Sequence, residues 1–261
     1  MATLAVVILT KNEEKNIKDC IASASFADDI LVVDSGSQDN TEKLVKEAGA
    51  RFIYHPMGDD GFAGQRNFAL EQINTDWVFY LDADERITKA AVEGIQNVVK
   101  QNIPAAYNIK RYQIVFGQMM KYGGHGPDYS LRLYPTKNVH WQGVVHEHAD
   151  IGDLQVHLLP GILEHYTYTE WNAYYIKFNL YTTMMAEKMH QDGKRASFKD
   201  IILHPVFAFI RFYFLQQGFR EGKLGFIFAV NHVFYTMVKY LKLMYMDKQP
   251  GNMSTQFLKS F

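Results

Sequence analysis

Residues 77–87 read WVFYLDADERI. Trp77 to Leu81 form a continuous apolar run, and three acids, Asp82, Asp84 and Glu85, follow at once. Such a run suits a strand buried on both faces, as in a parallel sheet. The end of a buried strand is a costly place for uncompensated carboxylates, so positive charge is required there. A lysine, a helix N-terminus or a bound cation would each supply it.

Working outward, the first hundred residues alternate strand-like and helix-like segments. LAVVILT (4–10) is a second continuous apolar run, followed by Ile17, Ile21 and Ala24 at helical spacing. DDILVVDSGS predicts another strand; in DNTEKLVKEAGA, Asp39 and Glu42 fit a capping box and Gly49 a C-cap. RFIYHP is a further strand, and GFAGQRNFALEQI a glycine-rich turn entering a helix. Thr88 is placed to cap the next helix, with Val92, Ile95 and Val99 inward. This rhythm predicts a mostly parallel sheet with helices on both faces, whose ligands bind beyond the carboxyl ends of the strands. TKNEE, DSGSQD and DADE fall at those ends.

From Ala106 the texture changes. AYNIKRYQIVFG and YSLRLYP…VHWQGVVHE predict longer, antiparallel strands separated by Gly123, Gly124 and Gly126. EWNAYYIKFNLYTTMMAEKMHQ is helical, and residues 201–246 hold two aromatic apolar stretches, each interrupted before the ~20 apolar residues of a membrane span. In the second, His232, Thr236, Lys239 and Lys242 share a helical face opposite an apolar one. That pattern fits a helix lying on a membrane surface or one packed on the main domain.

The 261 residues are 48% hydrophobic, enough for a large core. The N-terminus lacks the basic start of a signal peptide, and a single cysteine, Cys20, excludes an intramolecular disulfide framework and fits a reducing compartment. The net charge of −1 conceals an asymmetry: residues 194–261 hold ten Lys/Arg against three Asp/Glu. A basic tail suits an anionic surface or substrate. Its cations are scattered through apolar helices, which argues against nucleic acid.

Asp82 and Asp84 at D-x-D spacing suit a divalent ion with oxygen ligands, or a turn cap or pairing with Arg86. Asp34 suits a ribose or base contact, or a helix cap. Arg66, after Gly61 and Gly64 at an expected helix start, suits a phosphate or base contact, or a surface ion pair. Asp128, Arg132, His146, Glu147 and His148 are later candidates, with a carboxylate among them as general base. His165 is a third metal ligand or a structural histidine. No H-E-x-x-H occurs, which argues against a zinc protease.

VVILTKNEE, ILVVDSGSQDNT, AGQRNFAL and WVFYLDADE together resemble the nucleotide-sugar half of family 2 glycosyltransferases, which have the GT-A fold. SLRLYP…GVVHE and QGFREGKLGFIFA…VKYLKL resemble a narrower group containing bacterial lipopolysaccharide-core and lipooligosaccharide β-1,4-glucosyltransferases. The resemblance implies an α/β chain: a nucleotide-sugar-binding half at 1–105, an acceptor-side half with a small antiparallel section at 106–193, and a basic amphipathic helical tail at 194–261. It implies that Thr10, Asn12 and Glu13 line the nucleoside pocket, Asp34 meets uracil or ribose, and Arg66 meets base or diphosphate. Asp82 would face ribose and metal, and Asp84 would coordinate Mg²⁺ or Mn²⁺, the positive charge sought above. The Glu-Asp and Q-x-x-R-W motifs of many members are missing, so Asp128 and Glu147 both stand as the base, with Glu147 preferred.

The implied reaction is inverting transfer of a hexose, glucose from UDP-glucose, to a lipid-linked or oligosaccharide hydroxyl. It would take place at the cytoplasmic face of the membrane, with the tail as a peripheral anchor. The rivals are a nucleotidyltransferase, disfavoured by acids where its glycine-rich, lysine-bearing loop would lie, and a non-catalytic nucleotide-sugar or lipid binder.

Overall fold

The structure is a computed structural model and describes residues 1–143 and 147–248. The chain forms two compact units. One comprises Met1–Gln113 and Asp128–Thr167; the other comprises Ile114–Pro127 and the chain from Tyr168 onward.

In the first unit, β1 (Leu4–Thr10), α1 (Ile17–Ser23), β2 (Asp29–Asp34), α2 (Thr41–Glu47), β3 (Arg51–Tyr54), α3 (Gly61–Glu71) and β4 (Trp77–Asp82) follow the alternation expected. Then come β5 (Glu85–Ile87), α4 (Lys89–Gln101), β6 (Ala106–Val115) and β8 (Asp128–Pro135), with the short β7 (Gln118–Met119) between the last two belonging to the second unit. Next are β9 (His140–Gln142), β10 (His148–Asp150) and β11 (Val156–Tyr168). The main sheet has the order β3-β2-β1-β4-β8-β6-β11-β5, while β9 and β10 form a separate antiparallel pair. Strands β1 to β4 pair in parallel; β8 joins β4 antiparallel, and β6 joins β8 the same way. The mostly parallel α/β sheet, the antiparallel section and the helical C-terminal region are thus as expected.

Alternation along the strands explains why both apolar runs are continuous. Val6, Ile8, Phe79 and Leu81 point to the face covered by α1, α2 and α4. Ala5, Val7, Val78 and Tyr80 point to the opposite face, covered by α3. A strand packed on both sides has no polar position to spare. Cys20, on α1, is fully buried beneath the strand ends, and its thiol donates to the Asp82 carbonyl at 3.5 Å. Burial pushes that thiol well above its ordinary pKa.

Helix caps differ in detail from the sequence reading. Thr88 does stand at the N-cap of α4, but its hydroxyl donates to the Ile162 carbonyl at 2.8 Å and accepts from no amide of its own helix. The α2 cap is Asn40, and no capping box forms. Instead, the Asp39 carboxylate accepts from the Thr41 amide and, across the loop, from the Glu14 amide. Asp39 thereby fastens the loop after β1 to the loop after β2.

Helix α4 rests closely on β11. At Gly161, where φ is +83°, a Cβ would fall 2.3 Å from the Ala91 amide nitrogen. Gly161→Ala combines a left-handed backbone with a backbone collision, and a loss of roughly 2–4 kcal/mol is expected. Chemical denaturation measures it; a loss below about 1 kcal/mol would show that α4 yields.

In the second unit, α5 (Trp171–Gln191) and α6 (Phe198–Phe209) each pack on α7 (Gly222–Tyr245). A π-helical segment, Ile210–Leu215, extends α6, and a 3₁₀ turn, Gly218–Glu221, leads into α7. Ser197 and Asp200 form a full capping box on α6. The polar face of α7 turns inward. Lys242 donates to Asn179, Thr182 and Thr183 of α5 at 2.7–2.8 Å, and Thr236 is buried. Apolar residues face outward instead, among them Leu203 (64% exposed), Phe207, Leu215 (67%) and Phe234. Gly218–Tyr245 is long and apolar enough to cross a membrane by length and composition, an 18-residue stretch of it reaching a mean hydropathy of 1.2. The interruption read in the sequence therefore does not lower its hydropathy below that of a span.

Candidate active site

In the strand register Thr10 lies beside Asp34, and Leu9 beside Asp82. The loops after β1, β2 and β4 therefore meet at one edge. The strand order reverses direction at β1, the switch point where open α/β sheets bind ligands.

On the β1–β2 side the loops are tied together by side chains. Asn12, with φ +56°, donates its amide to Ser37 Oγ at 2.7 Å and accepts from the Gln38 amide at 2.8 Å. The Glu13 amide donates to Thr41 Oγ1, and the Glu13 carboxylate accepts from Asn16 at 2.8 Å. Asp34 is buried and accepts from the Gly36 and Ser37 amides at 2.8 Å, and from the Ser37 hydroxyl. It shapes its own loop rather than capping a helix.

The β4 end answers the charge problem from within the chain. Arg132, on β8, donates from one Nη2 to Asp82 Oδ2 and to Glu85 Oε1, both at 2.7 Å. Arg111, on β6, reaches Glu85 Oε1 at 2.9 Å and holds Asp128 in a two-pronged grip at 3.0 and 2.7 Å. Arg66 pairs with Glu147 at 3.0 Å and lies 3.8 Å from Asp82. Acids and arginines thus alternate from Glu147 through Arg66, Asp82, Arg132, Glu85 and Arg111 to Asp128. Arg86 takes no part; it bonds the carbonyls of Ala83 and Glu85.

The local fields follow from this order. Burial would raise the Asp82 carboxyl, but Arg132, then Arg66 and Arg111, hold it well below the usual range. Glu85 is 0% exposed, and there burial prevails: its carboxyl is raised despite two guanidinium partners, with Asp82 adding to the rise. Asp128 is half-exposed; Arg111 lowers it against the cost of burial.

Asp84 stands apart from the arginines and faces His165 of β11, with Oδ2 and Nε2 3.1 Å apart. Burial lowers the His165 pKa, but the hydrogen bond and charge of Asp84 outweigh it, so the imidazole is raised. An oxygen and a nitrogen donor side by side suit a divalent ion. Among the described residues no three His, Cys, Asp or Glu side chains converge as a ligand set. Asp82 is engaged by Arg132.

Arg66 lies on the second turn of α3, buried, with its guanidinium 4.5 Å from the Trp141 ring. It is therefore not at a helix start, because α3 begins at Gly61. His148 opens β10 and is exposed, while His146 lies outside the described residues. Arg111 and Glu85 are the participants that sequence reasoning did not assign. Their only signal was the surplus of acids at the β4 end. Four buried polar atoms here have no hydrogen-bond partner among the described residues: Thr10 Oγ1, Arg66 Nε, Arg132 Nε and His165 Nδ1.

The profile "Glycosyl transferase family 2" matches residues 5–150, the span holding all these elements except His165. A Rhizobium meliloti protein, the lipopolysaccharide core biosynthesis glycosyltransferase LpsC, is 31% identical over 258 residues, covering 92% of this chain and 91% of that one. An uncharacterised glycosyltransferase of Rickettsia typhi is 27% identical over 256 residues, covering 93% and 87%. Among solved structures, glucosyl-3-phosphoglycerate synthase from Mycobacterium tuberculosis is 17% identical with a TM-score of 0.43, covering 63% of this chain and 72% of that one. With the profile spanning more than half its length and a relative matched almost end to end, the chain belongs to glycosyl transferase family 2.

Proposed function

We propose that this chain transfers a hexose, glucose from UDP-glucose, to a hydroxyl of a lipopolysaccharide-core or other cell-envelope glycan, with inversion. The observation that supports it most is the group of orphaned buried polar atoms at the switch-point edge. Buried polar groups are normally paired, so orphans among the described residues at the strand ends call for a polar ligand. Thr10, Asn12, Glu13 and Asp34 would frame the nucleoside. Arg66, already stacked on Trp141, would meet the base or diphosphate. The name of the Rhizobium relative supports the choice of acceptor.

Asp84 and His165 fit a divalent ion, Mg²⁺ or Mn²⁺, whose remaining ligands the donor diphosphate would supply. Such an ion, when bound, offsets the negative charge growing on the departing diphosphate. Asp82, fixed by Arg132, holds its carboxylate toward the ribose. The acceptor hydroxyl loses its proton to a carboxylate as the new bond forms. Asp128 is gripped at both oxygens by Arg111, whereas among the described residues Glu147 has one partner, Arg66, at a single oxygen. Glu147 is the better base.

Glu147→Gln is expected to lower turnover by about 10²–10⁴, and Asp128→Asn by less, with donor binding retained in both. Rates of UDP release with an acceptor decide it, and the reverse order would move the role to Asp128. A thermal-shift series with UDP, GDP, CDP and their sugars, with and without Mn²⁺, tests the donor class. Stabilisation confined to uridine compounds supports this reading, and no stabilisation by any nucleotide would refute it.

The outward apolar face of α6 and α7, on the basic part of the chain, supports peripheral attachment to an anionic membrane on its cytoplasmic side. Sedimentation with phosphatidylglycerol vesicles tests that attachment.

A further inference from the structure

The second unit contains a pocket of about 390 Å³ that the proposed donor chemistry does not use. Its walls are largely aromatic, including Tyr168, Tyr174, Phe178, Phe212 and Phe228. The hydroxyls of Tyr168, Tyr174, Tyr181 and Tyr235 line it without a hydrogen bond to any described residue. Burial, and then their own proximity, raises the phenols of Tyr168, Tyr174 and Tyr235 above the usual range, so they remain donors. Arg211 lines the same pocket, and among the described residues no acid pairs with it. No lining residue is acidic.

The pocket is built with care. At Gly124 a Cβ would stand 2.8 Å from the Phe212 ring, and at Gly218 one would stand 2.7 Å from the Phe212 carbonyl. Only glycines let these segments close on Phe212. Glu221 is buried and accepts from the Lys121 and Tyr122 amides at 2.7 and 2.8 Å, and from the Gln118 side chain at 2.8 Å. It pins the loop that carries Gly124. Arg211 and Phe212 lie in the π-helical segment, a distortion that recurs at functional sites. His125, His232 and Gln216 also line it. Burial, with His232 beside it, takes His125 down to about 4, and burial also lowers His232, so both rings are neutral near pH 7.

Aromatic faces, several hydroxyl donors and one guanidinium without an acidic partner among the described residues match a sugar ring carrying an anion. We propose that this pocket binds an anionic saccharide, a pyranose bearing a phosphate or carboxylate. On the glycosyltransferase reading, on which this assignment to a reactant rests, that saccharide is part of the acceptor. Aromatic rings cover the apolar face of the pyranose, tyrosine hydroxyls and neutral imidazoles meet its hydroxyls, and Arg211 takes the anion.

The test is calorimetric titration of the full chain, in saturating UDP to block the donor site, with glucose 1-phosphate, glucose, inorganic phosphate and phosphatidylglycerol vesicles. Trp171, whose ring lies 5.7 Å from Tyr174 and 6.0 Å from Phe228, gives a parallel fluorescence signal. Glucose 1-phosphate should bind more tightly than either glucose or phosphate. Arg211→Gln should weaken it about tenfold, and Arg211→Lys less. Arg211 is exposed, so these variants should fold, and their uridine-nucleotide affinity checks that they have. Unchanged affinity in Arg211→Gln would overturn the proposal. So would inorganic phosphate binding as tightly as the sugar phosphate, or Arg211-dependent binding to vesicles alone. If sugar phosphate binds and no nucleotide does, the catalytic reading fails and the pocket stands. If nucleotide binds and sugar phosphate does not, the pocket fails alone.

Discussion

Arg132→Met lowers stability by about 3–5 kcal/mol, because it strips one guanidinium from two acids and leaves a buried charge short of compensation. Glu85 is wholly buried, and Arg132 is 4% exposed. After the substitution only Arg111 remains on Glu85, and Asp82 retains Arg66 at 3.8 Å. Thermal unfolding should shift by on the order of 10 °C for a chain of this size. The sign of the pH dependence is fixed by Glu85. Its folded pKa is raised, so its charged form works against the fold above the unfolded pKa, and protonation relieves it. The deficit of Arg132→Met should therefore shrink as the solution is acidified. Adding Glu85→Gln should recover part of the loss at neutral pH. A single variant as stable as the parent would mean that water, not Arg132, compensates these acids.

Asp84→Asn should abolish the metal-dependent part of donor binding. At a hundredfold excess over Kd, a ligand confined to the folded state adds roughly 2.7 kcal/mol. For UDP with Mn²⁺ most of that gain should vanish in the variant, and turnover should fall at least about a hundredfold. Asparagine keeps the shape but loses the charge that a hard cation needs, and it leaves His165 without the acid that raises it. Thermal shift with and without Mn²⁺, at matched UDP, reads this directly. A variant whose UDP shift still grows with Mn²⁺ would remove Asp84 from the ligand set.

The placement of Asp34, Asp82 and Asp84 at one sheet edge was legible because strand ends follow from local patterns. β1 and β4 are apolar on both faces, and their first polar residues mark where burial stops. What the acids pair with was not legible. Arg111 and Arg132 lie 26 and 47 residues beyond Glu85 in the chain. They reach it because β8 and β6 join the sheet antiparallel in one register, which long-range pairing sets and local spacing does not. The same limit applies to α7. Its polar stripe was plain in the sequence, yet only the contact with Asn179 and Thr182 on α5 turns that stripe inward and leaves Phe226 and Phe234 outside.

Cys20 is the only thiol in the 261 residues, and it sits under the carbonyl of Asp82, sealed and protonated. An alkylating reagent can reach it only when α1 lifts from the end of β4. The rate of its modification in native buffer therefore clocks the opening of the floor beneath the acids. No residue need be added to take that reading.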